Sequence, residues 1–450
     1  MMKYKHLQAG LLYVVLLVAT SAAGQSQTAS VHNFSLAQTI EFASKNNTQV
    51  KNALLNLQIQ KEVNRGITAA AYPNLGGNIG TTAYVDVPTQ VIPGGAFGGP
   101  AGSMMAVQFG LKYNSTAALQ LQQLLFDGQV FVGLQARKAS VEFQSKNVEV
   151  TEEVIKSNVE KVYYQLVVSK TQVSLFDANI SRLEKLLHDA KELYKNGFAE
   201  KLDVDKVDVQ LTNLKTQKLS VVNSINVGYL GLKTLIGMPA KDVLVLSDTL
   251  SDAQIKEGVL EDTHYQYSDR KEYQYAMLGK QLNEYNIKRY KLSYLPTVAL
   301  VGTYAKQAYR PKFDFLGKGN WYPASWMTLN ISVPIFDGFA KDAKVKQSKL
   351  ELQQTENNID NLKNSIDKDV EQATLNFKSS IATMDFQKKN MVLAENVYNQ
   401  TKRKFEVGTG SNTEITGAET DLITAQTNYI NALYTAIIAK VDYKKAVGKL

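Results

Sequence analysis

Residues 333–338 read VPIFDG, and residues 123–128 read QLLFDG. The shared triplet stands at Phe126-Asp127-Gly128 and again at Phe336-Asp337-Gly338, an offset of 336 − 126 = 210. The longer stretches 121–139 (LQQLLFDGQVFVGLQARKA) and 331–349 (ISVPIFDGFAKDAKVKQSK) align around it. Downstream, Tyr194-Lys195-Asn196-Gly197 matches Phe405-Glu406-Val407-Gly408 at 408 − 197 = 211. Asp203 then pairs with Glu414, Leu211 with Leu422, and Ile236-Gly237 with Val447-Gly448. Upstream, Tyr72-Pro73 matches Leu295-Pro296. Landmarks repeated in one order mark an internal duplication. Each half reads as helix, Pro, two strands, FDG, very long helix, Gly turn and second helix.

The long helices carry the clearest period. Leu134, Val141, Val148, Ile155 and Val162 recur every seven residues, and from Val159 a second stripe joins through Leu166, Val173, Ile180, Leu187 and Tyr194. In the second half Val370, Phe377, Met384, Met391, Tyr398 and Phe405 repeat the pattern. Two apolar positions per heptad make a coiled-coil seam. No Pro interrupts the stretch between Gly128 and Lys195, so one helix of ~100 Å is expected there.

The segments between these helices alternate with period two. Met105, Val107, Phe109, Leu111, Tyr113, Ala117, Leu119 and Leu121 share one face, with Gln108, Lys112, Asn114, Thr116 and Gln120 on the other. In 326–335, Met327, Leu329, Ile331, Val333 and Ile335 oppose Thr328, Asn330 and Ser332. Residues 75–87 behave likewise, and 297–309 alternate least cleanly. One apolar and one wet face over ~10 residues suits a membrane strand as well as a soluble sandwich. Gly/Pro-rich loops (PGGAFGGPAG at 93–102, and the stretch near 311–323) and the aromatics Tyr304, Tyr309, Trp321, Tyr322 and Trp326 favour the membrane interface. The smallest closed barrels need about eight strands, so four per chain imply an oligomer.

Residues 1–24 have a basic start (Lys3, Lys5), an apolar run from Leu11 to Ala19 and small residues up to Gly24, the layout of a cleaved secretory signal. The formal charge of +8 loses two Lys there and falls to +6, dispersed with both signs mixed, which gives nucleic-acid binding no support. The chain holds no Cys, which excludes disulfides, thiolate metal sites and a lipidated N-terminal Cys. His6, His32, His188 and His264 include no pair at metal-ligand spacing. G-x-S-x-G, Walker A and H-E-x-x-H motifs are absent. No enzyme, cofactor or metal is expected.

These residues resemble the TolC-like outer membrane efflux proteins over essentially the whole mature chain. The resemblance rests on the duplication, on QLLFDG and VPIFDG where strand passes into helix, and on the tip patterns YKNGFAEKLDVDKVDVQL and FEVGTGSNTEITGAETDL. It implies a mainly α chain with membrane β, three copies pooling four strands each into a twelve-stranded barrel above a periplasmic helical tunnel. The expected organisation is a first repeat over 25–240 (strands 74–88 and 104–125, helices 128–196 and 202–236), an equatorial connection over 241–265, and a second repeat over 266–450 (strands 297–310 and 322–335, helices 338–407 and 413–448). Implied partners are outer membrane lipid, a periplasmic adaptor protein and an inner-membrane pump of resistance-nodulation (RND) or ABC type.

The resemblance also assigns sites. The tips, with Asn196, Gly197, Asp203, Val407, Gly408, Thr409 and Asn412, are where such ducts meet the adaptor. Two acidic residues narrow the entrance in the best-studied member; the first matches Glu414 and the second falls on Gly417, while Asp421 lies two turns along the same face. Phe405, Gly410 and Leu202 stand where that member has a Tyr, an Arg and a Thr that hold the entrance shut, although Asp203 is retained. The expected function is a passive exit duct for small molecules. Alternatives are a type I protein-secretion duct and, from another class, a periplasmic coiled-coil structural or adhesion protein.

Overall fold

A computed structural model describes residues 30–100, 102–248, 255–256, 265–314 and 319–450. The expected signal over 1–24 lies outside these residues. The elements are β1 (Val31–Phe34), α1 (Leu36–Asn46), α2 (Thr48–Ala69), β2 (Asn74–Ala83), β3 (Thr89–Pro93), β4 (Met104–Gln108), β5 (Tyr113–Phe126), α3 (Gly128–Lys195), α4 (Lys201–Ile236), β6 (Val243–Leu246), α5 (Lys271–Leu292), β7 (Thr297–Arg310), β8 (Tyr322–Ser332), α6 (Ala340–Glu406) and α7 (Asn412–Ala446). The two long helices have 68 and 67 residues, ~100 Å each.

The FDG motif starts both of them. Asp127 caps α3, accepting from the amides of Gln129 (2.7 Å) and Val130 (3.2 Å), which satisfies donors the first helical turn leaves open. Asp337 accepts from the amide of Lys341 at 3.0 Å. Gly128 is needed for packing as well, since a Cβ there would stand 2.6 Å from the Leu292 carbonyl oxygen.

Glycine also ends each helix of the two long pairs. Gly197, Gly237, Gly408 and Gly448 lie at φ 76°, 75°, 76° and 73°. At the first, Phe198 N–H donates to Leu193 O and Gly197 N–H to Tyr194 O, the paired bonds of a Schellman cap. Gly237 combines this conformation with close contact, because its Cβ would fall 2.3 Å from the Asn46 carbonyl. Gly237→Ala is expected to destabilise by roughly 2–4 kcal/mol, summing left-handed strain and overpacking. Gly231→Ala, with nothing within 4 Å of its Cβ position, should be neutral or stabilising. Thermal unfolding of the two variants by circular dichroism checks the contrast.

Among the described residues, four apolar clusters run along the helices. Ile366, Val370, Phe377 and Tyr443 form one, and Leu183, Leu187, Val207, Leu211, Ile415 and Leu422 form another at the tips. At the waist, β1 pairs in parallel with β6, and Tyr163, Val159 and Ile236 pack beneath them. Tyr163 Oη donates to Asp248 Oδ2 at 2.9 Å, which also accepts from the Leu36 amide at 2.8 Å. The sequence reading left 241–265 as a bare connection. A four-residue strand whose partner lies 212 positions away carries too little local pattern to be seen.

The main sheet has the order β2-β5-β7-β8, antiparallel throughout. Three expected strands are shorter or divided. The one expected over 74–88 ends at Ala83, and the one expected over 104–125 breaks between Gln108 and Tyr113. Gly110 at φ 133° turns the chain there, and β3 and β4 form a separate hairpin. Residues 297–310, whose alternation was weakest, form the unbroken interior strand β7. Strand 322–335 ends at Ser332. No helix of the described residues is long and apolar enough to cross a membrane.

Candidate functional site

Antiparallel register places opposed residues on one face. One row is Leu75–Leu121–Gly302–Met327, and flanking rows add Leu300–Leu329 and Val298–Ile331. The alternate rows read Asn74–Gln122–Val301–Thr328 and Gly76–Gln120–Thr303–Trp326. The sheet thus has one apolar and one polar face, and among the described residues β2 and β8 leave both of its edges unpaired.

The register separates the interface aromatics. Tyr304 lies on the apolar face opposite Leu119, one row inside Lys306. Trp326, Tyr322 and Tyr309 lie on the polar face, opposite Thr303, Gln307 and Asn114. Trp321 precedes β8. A second aromatic group escaped the sequence reading: Tyr72, Tyr294, Phe336 and Phe339 are exposed where the sheet meets the helices. The signal was present, since these residues lie in or beside the Pro and FDG landmarks. From Leu295 to Tyr304 the chain advances 304 − 295 = 9 residues, ~30 Å along a strand and ~23 Å along the membrane normal at ~40° tilt, close to the ~25 Å apolar band of outer-membrane barrels.

The opposite ends of the long helices form the tips. Glu414 is exposed and sits at the third position of α7 in a capping box: its amide donates to Ser411 Oγ (3.2 Å) and its Oε2 accepts from the Ser411 amide (3.4 Å). Asp203 plays the same part with Glu200 at the start of α4. Asn412 joins the tips by donating from Nδ2 to Asp203 O at 3.2 Å, while its buried Oδ1 has no partner. Asn196 donates to Glu192 O at 2.7 Å and Thr409 Oγ1 to Lys404 O at 3.2 Å, each within its own turn. Val407 is 73% exposed, and the neighbouring Phe198, which the sequence reading passed over, is 81% exposed. Gly410 is confined, with its Cβ position 3.0 Å from the Phe405 amide nitrogen. Asp421 is exposed on α7, seven residues from Glu414.

One turn inside the tip lies a polar joint that the sequence reading missed. Glu419 is 1% exposed; its Oε1 accepts from Arg182 Nε at 3.2 Å and its Oε2 has no hydrogen-bond partner. Arg182 also donates to Asn179, whose Nδ2 donates to Gln426 Oε1 at 2.9 Å, and its guanidinium lies 5.4 Å from the Tyr398 ring centroid. Burial pushes the Glu419 carboxyl above its ordinary range despite Arg182, and burial together with Glu419 pushes the Tyr398 hydroxyl up to about 12. The joint ties α3 of the first repeat to α6 and α7 of the second. Gln210 on α4 adds a second tie, donating to Thr420 Oγ1 at 2.9 Å. Glu419 was legible in principle, being four residues after Ile415 and three before Leu422 on the buried stripe.

Among the described residues no cluster of His, Cys, Asp or Glu could hold a metal ion. The family described as "Outer membrane efflux protein" matches over residues 274–449. Outer membrane efflux protein BepC of Brucella suis is 20% identical, with 97% of this chain and 89% of that protein covered. Outer membrane protein TolC of Vibrio cholerae is 20% identical over 74% of this chain and 77% of that protein. The Campylobacter jejuni CmeC outer membrane channel superposes with a TM-score of 0.74 at 16% identity, covering 95% of this chain and 90% of that one. With paired ~100 Å helices, a two-faced four-stranded sheet and these matches, the chain is similar in sequence and fold to the TolC-like outer membrane efflux proteins.

Proposed function

We propose that three copies join their sheets edge to edge into a twelve-stranded barrel in the outer membrane, with the long helices forming a tunnel through the periplasm. The observation that carries this reading is the four-stranded sheet with one apolar face and two open edges. In hydrocarbon each unpaired backbone group costs several kcal/mol, so such a sheet must close. The assembly is a passive exit duct for small toxic molecules: a periplasmic adaptor docks at the tips around Phe198 and Val407, and an inner-membrane pump, RND or ABC type, supplies the energy. Purified protein should run as a heat-sensitive trimer on unboiled gels and conduct ions in planar bilayers. A soluble monomer without conductance would sink the reading. Deletion of the gene should sensitise cells to small toxic compounds; loss of a secreted protein without sensitisation would assign the duct to protein export instead.

Three copies of Glu414 around the axis form an acidic ring at the entrance, which attracts cations and repels anions. Asp421 places a second ring further along α7. Glu414→Gln isolates the charge, because Gln serves equally in a capping box. The variant should keep its thermal midpoint while its reversal potential in a salt gradient shifts away from cation preference. Unchanged selectivity together with unchanged divalent-cation block would count against the ring. Glu414→Ala should in addition destabilise α7 by about 1 kcal/mol.

A further inference from the structure

The polar face of the sheet carries amides and hydroxyls but no charge. Its rows hold Asn, Gln, Thr and Ser with Gly, Ala and a few aliphatics, and no Asp, Glu, Lys, Arg or His among the described strand residues. The charges of the strands, Lys306 and Arg310, lie on the opposite face, beyond the apolar band. Three large aromatic side chains nevertheless stand on the uncharged face. Trp326 and Tyr322 flank the exposed Ala324 on β8, and Tyr309 on β7 lies one row further out, its hydroxyl donating to Gln307 Oε1 at 2.7 Å. All three aromatics are exposed. An aromatic on the lipid face would serve as an interface anchor; on the water face it spends apolar surface that only a solute can cover.

We propose that Trp326, Tyr322 and Tyr309 form a stacking shelf in the outer half of the barrel, and that the solutes it holds are uncharged planar ring compounds. The inference rests on the duct reading, which turns this face toward the lumen. A charged solute meets no counter-charge on the shelf. A flat neutral ring gains stacking on indole and phenol faces, with Gln120 and Gln307 beside them to hydrogen-bond polar substituents. Cargo passing here is thus selected by ring character, whereas charge is read at the other end, by Glu414.

The test uses full-length mature protein in planar bilayers, with caffeine as an uncharged planar probe added to the outer side. Caffeine should block the current reversibly at millimolar concentration, and Trp326→Ala and Tyr322→Ala should each weaken the block at least fivefold without changing open conductance. Trp326→Phe should restore most of it. If Trp326→Ala fails to assemble, Tyr322→Ala carries the measurement. Maltotriose blocking with equal affinity and equal sensitivity to the two substitutions would overturn the proposal in favour of sugar rings. An open channel insensitive to caffeine would also overturn it, whereas absence of any conductance would count against the duct reading and not the shelf.

Discussion

Leu329→Arg is expected to abolish trimer assembly in the outer membrane, whereas Asn330→Arg, one residue along the same strand, is expected to leave it intact. Leu329 lies opposite Leu300, and Asn330 opposite Ala299 in the adjacent row. The Leu300–Leu329 row lies about midway between Leu295 and Tyr304, which in the proposed barrel puts it near the centre of the bilayer. Arg on the lipid face at that depth costs ~2–4 kcal/mol per chain, so roughly 6–12 kcal/mol per trimer, while lumen-facing positions tolerate charge. Membrane fractionation and unboiled gels should find Leu329→Arg as unassembled chain. Asn330→Arg should run as a trimer and, with three cations added to a neutral wall, shift the reversal potential toward anions. Equal behaviour of the two variants would mean that the sheet does not separate lipid from water.

What the sequence made legible follows from the range of each signal. The FDG motifs, the terminal glycines and the heptad stripes are local, and they placed the long helices within a residue or two of their observed ends. Period-two alternation found the strands but not the turn at Gly110, because a glycine within an alternating run does not reveal its own φ. The β1–β6 pair depends on a partner 212 positions away and left no local trace. The aromatics show a subtler gap. Clustering near strand ends drew Tyr304 and Trp326 into one group, although the parity that assigned Thr328 and Asn330 to the polar face also assigns Trp326 to it. Composition was read there where register decides. At the tip, Glu414 was read as a gate charge and Asp203 as a retained contact residue, yet each also closes a backbone donor in a capping box. Glu419, buried at the centre of one joint between the two repeats, was passed over because a carboxylate on a helix is ordinarily solvated, and only tertiary packing shows that this one is not.

Arg182→Ala is expected to destabilise the tip by ~3–5 kcal/mol, the usual effect of stranding one member of a buried ion pair. Glu419 would keep its burial and lose the Arg182 guanidinium that donates to it; its second oxygen has no partner among the described residues to compensate. The size of the effect should depend on pH. Burial pushes the Glu419 carboxyl above the ordinary carboxylate value of 4.5 in the fold, so the folded state binds its proton more tightly than the unfolded chain does. Such a group favours folding fully below 4.5 and loses that contribution as pH rises through the raised value. Without Arg182, which opposes the shift, the carboxyl should rise further, and the variant should lose most stability near neutrality and recover much of it near pH 5. Glu419→Gln should need no acid, and Arg182→Met with Glu419→Leu should be near neutral or more stable than the parent, because neither partner is then buried unpaired. Thermal unfolding followed from pH 5 to 8 reads all three. A pH-independent loss in Arg182→Ala would show that its stem packing against Tyr398, and not the charge on Glu419, is what holds α3 to α7. If the joint restrains the entrance, single-channel conductance of Arg182→Ala at pH 7.5 should exceed that of the parent and fall back as the solution is acidified. That pH reversal separates a released joint from a tip that is merely unfolded.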